Sequence, residues 1–370
     1  MKRTFWLSLL LVLILGTLFC GTADADSRGT WGNLSWTLDG NGTLTISGSG
    51  KMKNFSPDEY KAAWKQYRED IREIIIGNGI TTISSQAFSE CDKAASVTIP
   101  ESVTRIESQA FEENNSLTSV LIPKNVSFIG DSAFAWCGKL ASIQVDENNP
   151  YYCSSDGVLY NKDKSALIIC PIAKTSIIIP DSVRTLGKVA FFHCRNLIEV
   201  NLPVGVEAIP VQCFEGCSSL SSIVIPCSVT SIGFAAFDFC TNLTEAIIPG
   251  RNTDISFYAF GDPSPYLTIY GWNNSTAKAF ASKSGFPFVS LDNITVFLPT
   301  DLTILSKEAF QNIAAEAVVI PKAVKQIIGN PFSGSNVKYI FGYSSSVAQN
   351  FASENGYTFI AINDAWMASH

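Results

Sequence analysis

Ile99-Pro-Glu-Ser-Val-Thr-Arg-Ile106, Ile179-Pro-Asp-Ser-Val-Arg-Thr-Leu186 and Ile225-Pro-Cys-Ser-Val-Thr-Ser-Ile232 state one phrase three times, and each runs on to an Ala-Phe pair. Those pairs are Ala110-Phe111, Ala190-Phe191 and Ala236-Phe237, with further copies at Ala87-Phe88, Ala133-Phe134 and Ala259-Phe260 and a variant at Cys213-Phe214. The prolines keep the same beat: Pro100 and Pro123, then Pro180, Pro203, Pro226 and Pro249, stand 23 apart within each run. A fixed period of this length marks a solenoid, whose repeats bury their apolar side only against their neighbours. The stretch from Ile80 to Pro249 therefore decides the fold.

Within one unit, Leu117, Val120 and Ile122 have the spacing of an inward-facing strand that ends at Pro123, a residue unable to donate to a central ladder. Val126 and Ile129 point inward again after the turn, and Ala133-Phe134 fills the rung with one small and one large group. Three residues beyond Phe88, Phe134, Phe191, Phe214 and Phe237 stand Cys91, Cys137, Cys194, Cys217 and Cys240, and beyond Phe111 stands Asn114. Cys and Asn exchange where a side chain must fit a tight interior turn, so this column reads as packing rather than chemistry.

These units resemble the BspA-type leucine-rich repeat family of bacterial surface proteins, and the resemblance spans nearly all of the chain after the leader. It implies a mainly β, right-handed leucine-rich repeat solenoid with capping units and short helices. In better-studied relatives it implies adhesion to host or bacterial surfaces.

Outward from the repeat, Met1 to Ala25 reads as an export signal: Lys2 and Arg3, an apolar run from Phe5 to Phe19, and small residues at Ala23 and Ala25. Residues 26–76 read as an N-terminal cap. Within it a hairpin runs through Trp36 to Leu38, Asp39-Gly-Asn-Gly42 and Thr43 to Ile46, and Ser56 to Ile71 has helical spacing. Residues 77–270 are the solenoid. The distance from Pro123 to Pro180 is 57, and the excess lies at about 146–175, where Gly157-Val-Leu-Tyr160 and Ser165 to Ile169 read as an inserted hairpin. Insertions in repeat arrays project from one face and often carry binding; a structural variant of the rung is the plainer reading. Residues 271–370 hold cap-like helix and strand units around a degenerate rung containing Ala309-Phe310. With the strands that lead into them the two units run from Leu267 to Val289 and from Tyr339 to Ile360, and Gly271 and Gly342 mark their offset of 71. The second reads as a C-terminal cap, and the first as a cap-like unit that bends or interrupts the array.

The chain has 370 residues, 46% of them hydrophobic, and a formal charge of −7, which argues against nucleic acid or an anionic membrane surface as partner. No membrane insertion is expected once the signal is removed. No cofactor or catalysis is expected either. The histidines are His193 and His370 alone, no Cys/His cluster has zinc spacing, and no carboxylate pair stands apart from the turns. Nine cysteines follow the signal, an odd number that leaves at least one unpaired. Cys153 and Cys170 flank the insertion and are the candidates for a disulfide.

The candidate binding face is the strand row. Before the inward residue it presents Ser96, Ser119, Ser142, Glu199, Ser222 and Glu245; after it, Thr98, Leu121, Gln144, Asn201, Val224 and Ile247. Leu121, Val224 and Ile247 are out of place in water, and this favours a protein partner, from host matrix or a bacterial surface. A purely structural module is one alternative. A glycan-binding module is the other, and it would need an exposed aromatic row from Trp31, Trp36, Tyr151, Tyr152 and Trp272.

Overall fold

The computed structural model describes residues 27–53, 62–203, 205–262, 265–307 and 314–368. Met1 to Ala25, the stretch read above as an export signal, Ala309-Phe310 and His370 lie outside them. The described chain is mainly β, a leucine-rich repeat solenoid in which most rungs contribute one longer and one two-residue strand, both parallel to those of the next rung; in the first rung both strands, Glu73–Ile76 and Ile80–Ile83, have four residues. Ser119–Ile122 pairs with Ser142–Val145, and Arg105–Ile106 with Phe128–Ile129. Alternation along Ser119–Ile122 puts Val120 and Ile122 inside and Ser119 and Leu121 outside, as the period of two requires.

Between the strands the chain turns through left-handed residues two before and two after the Phe: Gln86 and Glu90, Gln109 and Glu113, Gln212 and Gly216, Ala235 and Phe239. A non-glycine residue in this region costs about 1–2 kcal/mol. The turns persist because they pair. Phe88 N–H donates to Ala110 O, Phe111 to Ala133 O and Phe214 to Ala236 O, so the turn edge carries its own inter-rung ladder. Inside it the phenyl rings stack: Phe88, Phe111 and Phe134 at 5.4 Å per step, then Phe191, Phe214, Phe237 and Phe260 at 4.6 to 5.2 Å. The Cys column lies behind them. Cys137, Cys217 and Cys240 each donate to a Phe carbonyl of the preceding rung at 3.1 Å, and Asn114 Nδ2 does the same to Phe88 O at 3.0 Å. That shared bond is why Asn replaces Cys there.

Both ends of the Phe columns are plugged. Trp64 stacks on Phe88 at 5.4 Å and donates its indole N–H to Ala87 O, while Trp31 and Trp36 pack edge-on against it. The hairpin Leu34–Leu38 with Thr43–Ser47 forms and is extended by Ser27–Trp31. The expected helix over 56–71 does not form in its described part: Lys65–Tyr67 is a single 3-10 turn, because Trp64 is committed to the core above Phe88. At the other end Phe280, on helix α1 (Thr276–Ser284), closes the column against Phe260 at 5.7 Å. Helix α1 starts at Ser275, whose side chain accepts from Lys278 N–H, and stops at left-handed Gly285. The first cap-like unit thus closes the first block and interrupts the array, which resumes in a second block.

The insertion is a partition. In Val158–Asn161, Leu159 belongs to the core of the N-terminal rungs, while Val158 and Tyr160 belong to the core of the rungs that follow. Ala166–Ile169 pairs in parallel with Thr185–Leu186 and so replaces a short rung strand. The hairpin turn presses against Ser142: a Cβ on left-handed Gly157 would meet Ser142 Cα at 3.0 Å, so glycine is required. The Phe stack breaks here, and a cavity of about 50 Å³ lies between Phe134, Ile129, Ile169, Cys170 and Ile172.

A second block follows, a parallel sheet of Thr295–Phe297, Ala317–Val319, Tyr339–Tyr343 and Thr358–Ile362. Helix α2 (Val347–Asn355) covers one face and α3 (Asp364–Ala368) ends the block.

Candidate functional site

The strand face divides into an open and a covered half. Ile247 is 1% exposed and Val224 is half-buried, because the second block lays its own sheet over them. Along Ala317–Val319, Val318 enters the second block's core while Ala317 and Val319 meet the first block; Ile340 and the pair Tyr339 and Phe341 divide the same way. Stacked sheets with both faces buried have continuous apolar strands. The expectation that Val224 and Ile247 are solvent-facing is therefore corrected.

Polar groups fix the contact. Glu245 accepts from Tyr339 Oη at 3.2 Å and from Tyr270 Oη at 3.4 Å, and burial followed by the Glu245 charge raises the Tyr339 hydroxyl pKa. Trp366 and Trp272 both donate to Pro249 O, at 3.3 and 2.9 Å. Cys227, at a turn position polar in other repeats, donates to Ala361 O at 3.5 Å.

In the open half, Ser119, Leu121, Gln144, Glu199 and Asn201 face outward, Leu121 being 54% exposed, and Asn201 Nδ2 donates to Glu199 at 2.9 Å. Ile178 belongs with them. It is 93% exposed and pairs with Asn201 in the ladder, so it occupies the column of Leu121 on the rung that follows the insertion. Its position two before Pro180, as Leu121 is two before Pro123, was the available signal; the insertion hid the rung.

Cys153 and Cys170 are not bridged. Cys153 faces Tyr160 across the ladder and donates to Asn161 O at 3.2 Å, whereas Cys170 is buried and directed at Pro171 O. All nine described cysteines are thiols. Burial pushes Cys91, Cys137 and Cys240 up to about 12, so the thiolate is disfavoured. Trp31, Trp36 and Trp272 are buried and form no aromatic platform. Exposed rings gather instead on the turn edge, where Phe234 stacks on Tyr258 at 5.2 Å and Lys283 lies over Phe257 at 5.3 Å beside a cleft of about 240 Å³.

His193 lies against Trp136 with ring centroids 3.6 Å apart and planes tilted by 34°, and burial, with the Arg195 charge, lowers its pKa to about 4. It is neutral at physiological pH, held between aromatic rings. Among the described residues no His, Cys, Asp and Glu group has the geometry to hold a metal, and no helix is long and apolar enough to cross a membrane.

The model of the BspA type leucine rich repeat region matches residues 62–155, 170–286 and 281–354, in six copies. Among solved structures, a leucine-rich repeat protein from Eubacterium ventriosum is similar over 85% of this chain and 96% of its own, with 25% identity and a TM-score of 0.52. A leucine rich cell surface protein from Faecalibacterium prausnitzii aligns over 69% of this chain and 97% of its own, at 22% identity and a TM-score of 0.47. No curated protein matches the sequence. The matched repeats cover more than half of the residues, and the chain belongs to the BspA-type leucine-rich repeat family.

Proposed function

We propose that the chain is an exported, surface-displayed recognition scaffold without catalytic activity, holding a protein partner along the open strand face. The observation that carries this reading is Ile178, 93% exposed within a strand and aligned in the column of Leu121. In that same column the molecule covers Val224 and Ile247 with its own second block. An ordered sheet face with apolar groups in water is a contact surface. Family membership and the leader-like residues 1–25 support the surface location.

The test is binding of the purified chain to an array of extracellular-matrix proteins and bacterial or host glycans, repeated with Leu121→Lys and Ile178→Lys. Loss of a saturable protein signal in both variants supports the reading. Retention in both removes this face.

Glycan contact is the second reading, favoured by the exposed rings and cleft on the turn edge. It requires glycan signals on the same array that Phe234→Ala and Phe257→Ala abolish and the strand variants leave intact.

A further inference from the structure

The internal contact shows what kind of surface this strand face fits. In the covered half Glu245 stands in the column before the inward residue and Ile247 in the column after it. The facing sheet meets them with a tyrosine hydroxyl on the carboxylate and apolar side chains on the isoleucine. Two rungs earlier the same columns carry Glu199 and Asn201, with Ile178 on the adjoining strand and Ile198 beside them. Ile178 and Ile198 are 93% and 59% exposed. This patch runs through Ser222 to half-buried Val224, the edge of the covered half, and so continues an established interface.

We infer that the occupant of the open patch is a second copy of this chain, stacked strand face to strand face about a two-fold axis with Ile178 and Ile198 at its centre. The inference rests on reading the strand face as a contact surface and names the partner. Three observations favour a second copy. The sheet that fits this face within the molecule comes from the same repeat sequence. The patch carries one charge, Glu199, whose carboxylate is already bonded to Asn201 at 2.9 Å, so stacking two copies brings together only one pair of like charges. The hydroxyls of Ser176 and Ser222 on the facing copy supply donors of the kind Tyr339 supplies to Glu245. A two-fold contact uses the same patch on both copies and closes, giving dimers rather than filaments. So small a patch, with few aromatic anchors, gives a weak, concentration-dependent dimer.

Sedimentation velocity of the full chain, from low micromolar to the highest soluble concentration, tests this. A monomer–dimer equilibrium is expected, and Ile178→Lys and Ile198→Lys each weaken it about tenfold or more, a change of about 1.4 kcal/mol. Ile328→Lys, an exposed site on the second block, leaves it unchanged. Because both isoleucines face solvent, the variants retain the circular dichroism and melting of the parent, and Ile178→Ser repeats the test without adding charge. A chain that is monomeric throughout, or a dimer indifferent to both variants, overturns the inference. A monomer that still binds a matrix protein, and loses that binding on Ile178→Lys, overturns self-association while the recognition reading stands.

Discussion

Replacing Phe214 by Ala removes a ring that is fully buried and stacked on both sides, on Phe191 at 4.6 Å and on Phe237 at 5.2 Å. A buried Phe→Ala change costs about 3–5 kcal/mol from lost transfer energy and the residual cavity. Each aromatic pair adds about 0.5–1.5 kcal/mol beyond burial. Phe134 is buried to the same degree but stacks on Phe111 alone, its far side facing the small cavity left by the insertion. One stacking partner fewer makes Phe134→Ala the milder change by about 1 kcal/mol. Urea unfolding followed by far-ultraviolet circular dichroism measures both. Repeat arrays unfold in pieces, so native-state hydrogen exchange at Phe237 and Phe111 N–H, which lie in the turn-edge ladder, locates each loss. Equal costs, or a larger cost at Phe134, refute the view that a stack of rings interrupted by the insertion organises this core.

The ladder position accepts Cys217→Asn with a loss under about 1 kcal/mol, since Asn114 makes the same bond; Cys217→Ala costs about 1–2 kcal/mol by deleting the thiol bond and opening a void, as thermal unfolding will show. Iodoacetamide at pH 8 leaves Cys91, Cys137 and Cys240 unmodified in the native chain and alkylates them in denaturant; native labelling of these thiols contradicts their burial. Ile247→Arg separates the blocks, because the charge has no partner among the facing apolar groups, and the emission of Trp272 and Trp366 moves to the red; unchanged emission contradicts the sheet-on-sheet contact. His193 binds its proton less readily folded than unfolded, so its contribution to stability is complete above about pH 6.5 and declines as pH falls toward 4. His193→Gln lacks that decline, and identical pH profiles for parent and variant contradict the assignment.

The rung was legible in the sequence because period, proline and the Ala-Phe pair are all local features, and one repeat constrains the next. Leu121 was legible for the same reason: Ser119 to Ile122 alternates outward and inward. The covered half was not, although the signal is present. Ala246 to Ile248 and Ala317 to Ile320 run apolar without alternation, which means burial on both faces, but the partner of each lies far along the chain. Ile178 was missed because a hairpin inserted between Gln144 and Thr175 displaces the count while the strand column continues. The missing bridge between Cys153 and Cys170 has a similar origin: flanking an insertion places two residues near one another in sequence, whereas the ladder puts Cys153 opposite Tyr160.

The most direct measurement is hydroxyl-radical footprinting of the chain with and without the partner identified on the array. The recognition account requires Leu121 and Ile178 to become protected together, with Phe234 and Phe257 on the turn edge unchanged. Oxidation of Leu121 and Ile178 at the free-chain rate, in a chain saturated with that partner, contradicts it.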